Sequence, residues 1–260
     1  MTRYPLRLLI PCIAGIAAGC AAPIPPVGGG AGERASASAV QPGDSVCNAT
    51  PDASLAQYIV GYGSLMQDES RQRTAPQAGP AHPVEVSGFR RGWFARGEPV
   101  GFSTTFLGAT PDANGRLNAV VYQVDAAGLR ATDQREASYC RTQVPASAVA
   151  LLEKSTLEMS GAQVWIYTNR PGTIATPSAE FPIVQSYVDV FVSGCLEQEQ
   201  RFGLEGYASE CVTTTHDWSA HWVNDRLYPR RPFIYQPRAH QIDQLLSRQV
   251  PDFFSKVRLQ

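Results

Sequence analysis

The 260-residue chain is 43% hydrophobic and 17% charged, with a formal net charge of −1. That composition supplies enough apolar material for the core of one globular domain with additions. A near-neutral chain without a dense Lys/Arg block lacks the electrostatic attraction that dominates nucleic-acid binding, which leaves a small molecule or a protein as the expected partner.

The first twenty residues carry Arg3 and Arg7, an apolar run from Leu8 to Ala18, and then Gly19-Cys20. This is the layout of a secretory signal, too short and too rich in small residues for a membrane span. Ala17-Ala18-Gly19-Cys20 resembles a bacterial lipobox, although Ala17 stands where Leu or a similar residue is preferred; ordinary signal cleavage is the alternative. The expectation is an exported protein of the cell envelope or periplasm, anchored through lipid on Cys20 and otherwise without a membrane segment. Residues 21–54 are rich in Pro, Gly, Ala and Ser, cannot pack a core, and read as a tether. The body is expected over residues 55–200, with residues 201–260 as a C-terminal extension packed on it.

Export agrees with the cysteines. Setting aside Cys12 and Cys20 leaves Cys47, Cys140, Cys195 and Cys211, an even number for an oxidising compartment. Three pairings are open. Cys195 with Cys211 is favoured because a short loop-like segment separates them, which leaves Cys47 with Cys140; the alternative is that some are small buried apolar residues.

In the body, Tyr58 to Tyr62 and Val84 to Phe94 read as strands. Gly101 to Leu107 and Leu117 to Val124 flank Pro111-Asp112-Ala113-Asn114-Gly115, whose Asn-Gly step predicts a hairpin. Ala126 to Arg135 reads as a helix capped by Asp125. Tyr139 to Val144 and Gln163 to Thr168 are further strands. Ile183 to Gln200 places apolar residues at helical spacing, and His240 to Ser247 forms a shorter helix. Strands come first and helices later, without βαβ alternation, so the predicted class is α+β around a mostly antiparallel or mixed barrel-like sheet. Between the helices, Trp218, Trp222, Tyr228, Phe233 and Tyr235 read first as packing beneath a loop and second as a site lining.

The first strand ends in Gly61-Tyr62-Gly63-Ser64-Leu65-Met66. A dinucleotide fingerprint needs a third glycine at Met66 and a following βαβ unit. A nucleophile elbow needs glycine after Ser64-x, and a P-loop needs a lysine. All three fail. His82, His216, His221 and His240 lack metal-ligand spacing, and Cys140 suits a disulfide or the core better than nucleophilic duty. What remains is Asp133-Gln134-Arg135-Glu136-Ala137-Ser138-Tyr139-Cys140-Arg141 entering a strand.

Taken together, Tyr62-Gly63-Ser64-Leu65 and the Asp133 to Arg141 segment resemble the γ-glutamylcyclotransferase family, with its ChaC-like and AIG2-like relatives. Ser186, Tyr187 and Gly194 resemble that family's Ser-Tyr-x-x-x-x-x-x-Gly segment, so the likeness spans about Tyr58 to Cys195. The resemblance implies an α+β, γ-glutamylcyclotransferase-like mixed β-barrel with flanking helices. It implies release of 5-oxoproline from a γ-glutamyl peptide or amine by attack of the substrate's own α-amino group, which needs no cofactor, metal or enzyme nucleophile. Glu136 would be the acid/base, and Tyr62, Gly63, Ser64, Leu65 and Tyr139 would bind substrate. Here Ala137 replaces a frequent glycine, and the loop before Tyr139 is a residue shorter than in many relatives. The competing reading is a non-catalytic envelope lipoprotein that binds a γ-glutamyl or amino-acid ligand, or a protein partner through Trp218 to Tyr235.

Overall fold

The computed structural model describes residues 47–97, 103–154, 157–170, 172–231 and 237–260. The signal-like segment with Cys20, most of the tether, and Phe233 and Tyr235 lie outside the described residues. In chain order the elements are β1 (Gln57–Gly61), α1 (Asp68–Gln72), β2 (His82–Gly97), β3 (Thr104–Val124), α2 (Ala126–Arg135), β4 (Tyr139–Val144), β5 (Val149–Leu151) and β6 (Gln163–Asn169). They continue with β7 (Ile183–Val184), α3 (Gln185–Phe202), α4 (Tyr207–Thr213), β8 (Thr215–His216), β9 (Trp222–Asn224), α5 (Ala239–Gln249), α6 (Pro251–Phe254) and β10 (Arg258–Leu259).

A seven-stranded sheet runs in the order β4-β6-β1-β3-β2-β5, with β8 added beside β2, and curls into a half-barrel. The class is α+β with flanking helices, as expected from the sequence. β1 lies in the middle, antiparallel to β3 and parallel to β6. All five of its residues are buried, which explains why its sequence is continuously apolar rather than alternating.

Two sequence expectations need correction. Gly101 to Leu107 and Leu117 to Val124 do not pair as a hairpin: from Thr104 onward they belong to the single strand β3, which lies along the whole of β2. Neither Asn114 nor Gly115 takes the positive φ that a type I′ turn requires. The Asp112 to Gly115 stretch is instead taken up as an irregularity in register, with Ser87 opposite Arg116 and Phe89 opposite Pro111. Ile183 and Val184 are likewise not helical. They form β7 beside Trp222 and Val223, and α3 begins at Gln185. Residues 185–196 of α3 are buried all round, so the helix lies inside the body.

Asp125 caps α2, its carboxylate accepting the Gly128 N–H at 2.7 Å, as expected. Cys195 bonds Cys211, joining α3 to α4, and Cys47 bonds Cys140, tying the segment before β1 to β4. The C-terminal tryptophans are packing residues: Trp218 stacks on Trp222 with ring centres 5.0 Å apart and meets Trp93 at 5.1 Å, while Phe254 sits against Trp222. Tyr228 is exposed. No helix among the described residues is long and apolar enough to cross a membrane.

Arg91, which carries no sequence signal of its own, is fully buried in β2. Its guanidinium donates to the backbone oxygens of Tyr62, Asn118 and Cys211 and to the side chains of Asn118, Thr214 and Thr215. Burial lowers its pKa to about 10, so the group stays a cation at neutral pH. Arg91→Met orphans several buried acceptors at about 1–3 kcal/mol each. Chemical denaturation is expected to show a loss of several kcal/mol; a loss under one would mean that the network contributes little.

Candidate active site

β1 ends at Gly61, and the chain turns sharply through Ser64–Met66, a single 3₁₀ turn closed by Met66 N–H donating to Gly63 O at 3.0 Å. The turn is held from outside. Arg91 binds Tyr62 O, and Arg71 donates to Leu65 O and Met66 O at 2.9 and 3.0 Å. Glycine is required where α3 meets it: a Cβ on Gly63 would lie 2.9 Å from the Tyr187 hydroxyl, and one on Gly194 would lie 2.6 Å from Gln67 N and Met66 C. At Gly194 the helix comes so close to the backbone of the turn that a side chain would push the two apart, and at Gly63 a side chain would displace the Tyr187 hydroxyl.

The six residues singled out in the sequence line one hollow of about 30 Å³: Tyr62, Gly63, Ser64, Leu65, Glu136 and Tyr139. Glu136 reaches it from the end of α2, where its N–H donates to Thr132 O and closes the helix. Tyr62 donates its hydroxyl to Tyr167 O at 2.5 Å, and Tyr139 donates to Leu107 O at 3.0 Å. Burial, followed by the Glu136 charge and the neighbouring phenol of Tyr187, raises the Tyr62 pKa well above the ordinary phenol value; burial is again the largest cause at Tyr139. Both phenols therefore stay protonated donors.

Val60, Leu107, Tyr167 and Tyr187 line the same hollow, and Arg135 stands beside it, paired with Glu136. Tyr187 sets its hydroxyl against the turn, 2.9 Å from where a Cβ on Gly63 would stand. Arg135 donates to Ser64 Oγ at 2.8 Å and to Ser70 O, Ser70 Oγ and Thr74 Oγ1, and its Nε lies 3.1 Å from Glu136 Oε1. It thus joins the end of α2 to the turn after β1. Tyr187 was marked by its resemblance segment; Arg135 sits in the quoted Asp133 to Arg141 run but carried no signal of its own.

Glu136 is only 16% exposed. Burial raises its pKa above the ordinary carboxylate range, opposed by Arg135 and then Arg231. The carboxylate is held between desolvation, which favours the neutral acid, and two guanidinium groups, which favour the anion. A group so balanced can both accept and return a proton.

The hollow opens past Ser64, Glu136, Tyr139 and Tyr187 into a cavity of about 710 Å³. Its outer wall includes Arg96, Phe106, Asn169 and Arg231. None of these four was singled out as a site residue, because β2, β3, β6 and the C-terminal segment bring them together only in three dimensions. No group of metal-ligating side chains occurs among the described residues.

No family model matches the chain. No curated protein matches it either. Among solved structures it is similar to one described as a gamma-glutamyl cyclotransferase, at 14% identity over 63% of this chain and 91% of that one, with a TM-score of 0.46. An uncharacterised human protein is similar at 16% identity, over 63% and 91%, with a TM-score of 0.46. A yeast gamma-glutamyl cyclotransferase specific to glutathione is similar at 13% identity, over 61% and 97%, with a TM-score of 0.36. At these identities and scores the likenesses carry no argument about chemistry.

Because the folded pKa of Glu136 lies above its unfolded value, its contribution to stability is fully present below the ordinary carboxylate range and is lost as pH rises through the raised folded value. Glu136→Gln removes a carboxylate that ionises at a cost. The variant is therefore expected to melt above the wild type at neutral pH and to lose that advantage in acid. A variant that melts lower at neutral pH, by scanning calorimetry across pH, would show that the arginines outweigh burial.

Proposed function

We propose that this protein is a γ-glutamylcyclotransferase-like enzyme that releases 5-oxoproline from a γ-glutamyl peptide or amine. The observation that carries the reading is the meeting of a buried, proton-exchanging Glu136 with the Tyr62 to Leu65 turn in one small hollow. The sequence resemblance supplies the reaction.

In that reaction the substrate's α-amine attacks its own γ-carbonyl carbon. A carbon–nitrogen bond forms and closes the five-membered ring; the γ-amide carbon–nitrogen bond breaks and the acceptor leaves as an amine. The protein's task is to fold the substrate so that the two atoms meet, which is worth several orders of magnitude in rate. Glu136 takes the proton from the attacking amine and delivers it to the departing nitrogen. The backbone N–H groups of the Gly63–Leu65 turn supply donors for the oxygen that gains charge. Protonated Tyr62 and Tyr139 wall the hollow.

The test is to incubate the full chain with a panel of γ-glutamyl amino acids, peptides and amines and to measure 5-oxoproline. At least one compound is expected to yield it, and Glu136→Gln is expected to lower kcat by about 10²–10⁴-fold. The acid limb of kcat/KM is expected above the ordinary carboxylate range, because Glu136 ionises only as pH rises through its raised pKa. No product from any compound, or full activity in Glu136→Gln, overturns the reading.

We propose in addition that the body works outside the cytoplasm on a lipid anchor at Cys20, a reading supported by the lipobox-like Ala17 to Cys20 and by two disulfides in the body. Metabolic labelling with palmitate is expected to mark the wild type and not Cys20→Ser. Equal labelling of the two, or none in the wild type, refutes the anchor.

A further inference from the structure

The cavity extends far beyond what the inner hollow needs. About 30 Å³ is the share of liquid occupied by one water molecule, whereas 710 Å³ lies within the range of pockets that enclose a whole drug-sized ligand, about 300–1,000 Å³. A γ-glutamyl group is larger than the hollow, so under the proposed reaction the cavity takes its outer part together with the part of the substrate that leaves.

Its charge is one-sided. Arg73, Arg96, Arg135 and Arg231 line the cavity, and among the described residues Glu136 is the only carboxylate that does. Arg135 is paired with Glu136, and Arg73 with Glu69. Arg96 and Arg231 have no carboxylate within ion-pair distance among the described residues. Each lies instead on aromatic faces: Arg96 over Phe181 at 4.1 Å, and Arg231 over Phe106 at 4.7 Å and Tyr187 at 5.5 Å. Stacking fixes a guanidinium plane while leaving its in-plane N–H donors uncommitted. Arg96 Nε is buried and has no hydrogen-bond partner among the described residues, a cost that a structure keeps only where something else removes it.

Both arginines are held in place by the backbone. Arg96 stands opposite Thr105 in the β2–β3 pairing, and Thr105 donates its hydroxyl to Phe181 O at 2.7 Å, which seats the ring beneath the guanidinium. Arg231 is held by its own N–H, which donates to Ser186 Oγ at 3.2 Å; the same hydroxyl donates to Asp225 Oδ2 at 2.6 Å. The chain after α3 is thus strapped to the start of α3 in a way that delivers Arg231 to the cavity.

We propose that Arg96 and Arg231 form a carboxylate-binding subsite for the acceptor half of the substrate, so that the compound taken is a γ-glutamyl amino acid or peptide with a free carboxylate and not a γ-glutamyl amine. This rests on the cyclotransferase reading for the identity of the inner half only. Two forked donors on rigid platforms suit a planar carboxylate, and the cationic mouth draws an anionic substrate in. An amine acceptor offers nothing to either guanidinium and leaves Arg96 Nε unpaired.

The test compares γ-glutamylalanine with γ-glutamylethylamine, which lacks only the carboxylate, in the full chain. The ratio of their kcat/KM values is expected to exceed tenfold. It should collapse toward one in Arg96→Met and Arg231→Met, and Arg231→Lys should retain part of it. The ratio in Arg96→Met is the primary readout, because Arg96 is absent from the influences on Glu136 whereas Arg231 also acts on that carboxylate. A wild-type ratio near one, or variants that lose both activities in parallel, overturns the subsite.

If neither compound yields 5-oxoproline, the cyclotransferase reading fails and the subsite is judged by binding alone. Calorimetry with alanylglycine and with its C-terminal amide is then expected to show at least tenfold tighter binding of the free acid, lost in Arg96→Met. Equal binding of acid and amide, or no binding of either, refutes it.

Discussion

The structure turns on a buried guanidinium. Arg91 has no carboxylate partner; backbone oxygens from the turn after β1, from β3 and from α4 surround it, with hydroxyl and amide groups filling the remaining positions. A buried cation without such acceptors would cost far more than the fold can spare. The requirement runs both ways: the acceptors are buried backbone carbonyls, two of them at or just past element ends, which need donors as much as the cation needs them. One side chain therefore fixes where the sheet, the turn after β1 and the α3–α4 unit stand relative to one another. Phe191 of α3 lies 4.8 Å from the same guanidinium, so the helix packs on its face.

That constraint accounts for the precision of the inner hollow. With Tyr62 O fixed by Arg91 and Leu65 O by Arg71, the turn has little freedom to follow a displaced helix. Gly194 then allows α3 to come to backbone distance, and Gly63 leaves room for the Tyr187 hydroxyl over the turn. On the far side of α3, Arg226 binds Asp189 through two hydrogen bonds of 2.7 Å and binds Asp243 of α5 through two of 2.8 Å. Asp189 is fully buried, so this pairing is a requirement as well as a contribution. The segment after residue 200 is thereby locked against the helix that shapes the hollow, and Asp225 at its centre holds the Ser186 N–H and hydroxyl.

Local signals were legible where one element decides its own form. β1, α2 with its Asp125 cap, β4, β6 and α5 followed from apolar runs and capping chemistry. The Asn114-Gly115 step misled because turn propensity was outweighed by the long partner strand β2, against which β3 gains a continuous ladder by absorbing the extra residues. Ile183 and Val184 misled because their apolar spacing continues into α3, while the pairing with Trp222 and Val223 lies forty residues away. The inner hollow was legible as two short motifs whose order and separation pointed to each other. Arg91, Arg96, Arg135 and Arg231 were not, since an arginine has the same appearance in sequence whether it is solvated, buried under carbonyls or stacked on a ring.

The two halves of the cavity impose opposite demands on charge, and the arrangement of arginines reconciles them. A carboxylate used for proton exchange must not be pinned as an anion, yet an anionic substrate needs cations nearby. Were Arg96 and Arg231 both placed against Glu136, they would drive its pKa down and remove its capacity to donate. Instead Arg135, which contacts Glu136, also donates to Ser64, Ser70 and Thr74, so its charge is shared among several acceptors. Arg231 is spread over two rings, and Arg96 is absent from the influences on Glu136 altogether. Burial remains the largest effect on the carboxylate, and the donors needed by an outer anion lie where they disturb it least. Under the proposed chemistry, binding that anion would also offset the positive potential of Arg231 that Glu136 feels. The bound substrate would then raise the carboxylate's pKa further and strengthen it as the base that takes the proton from the attacking amine.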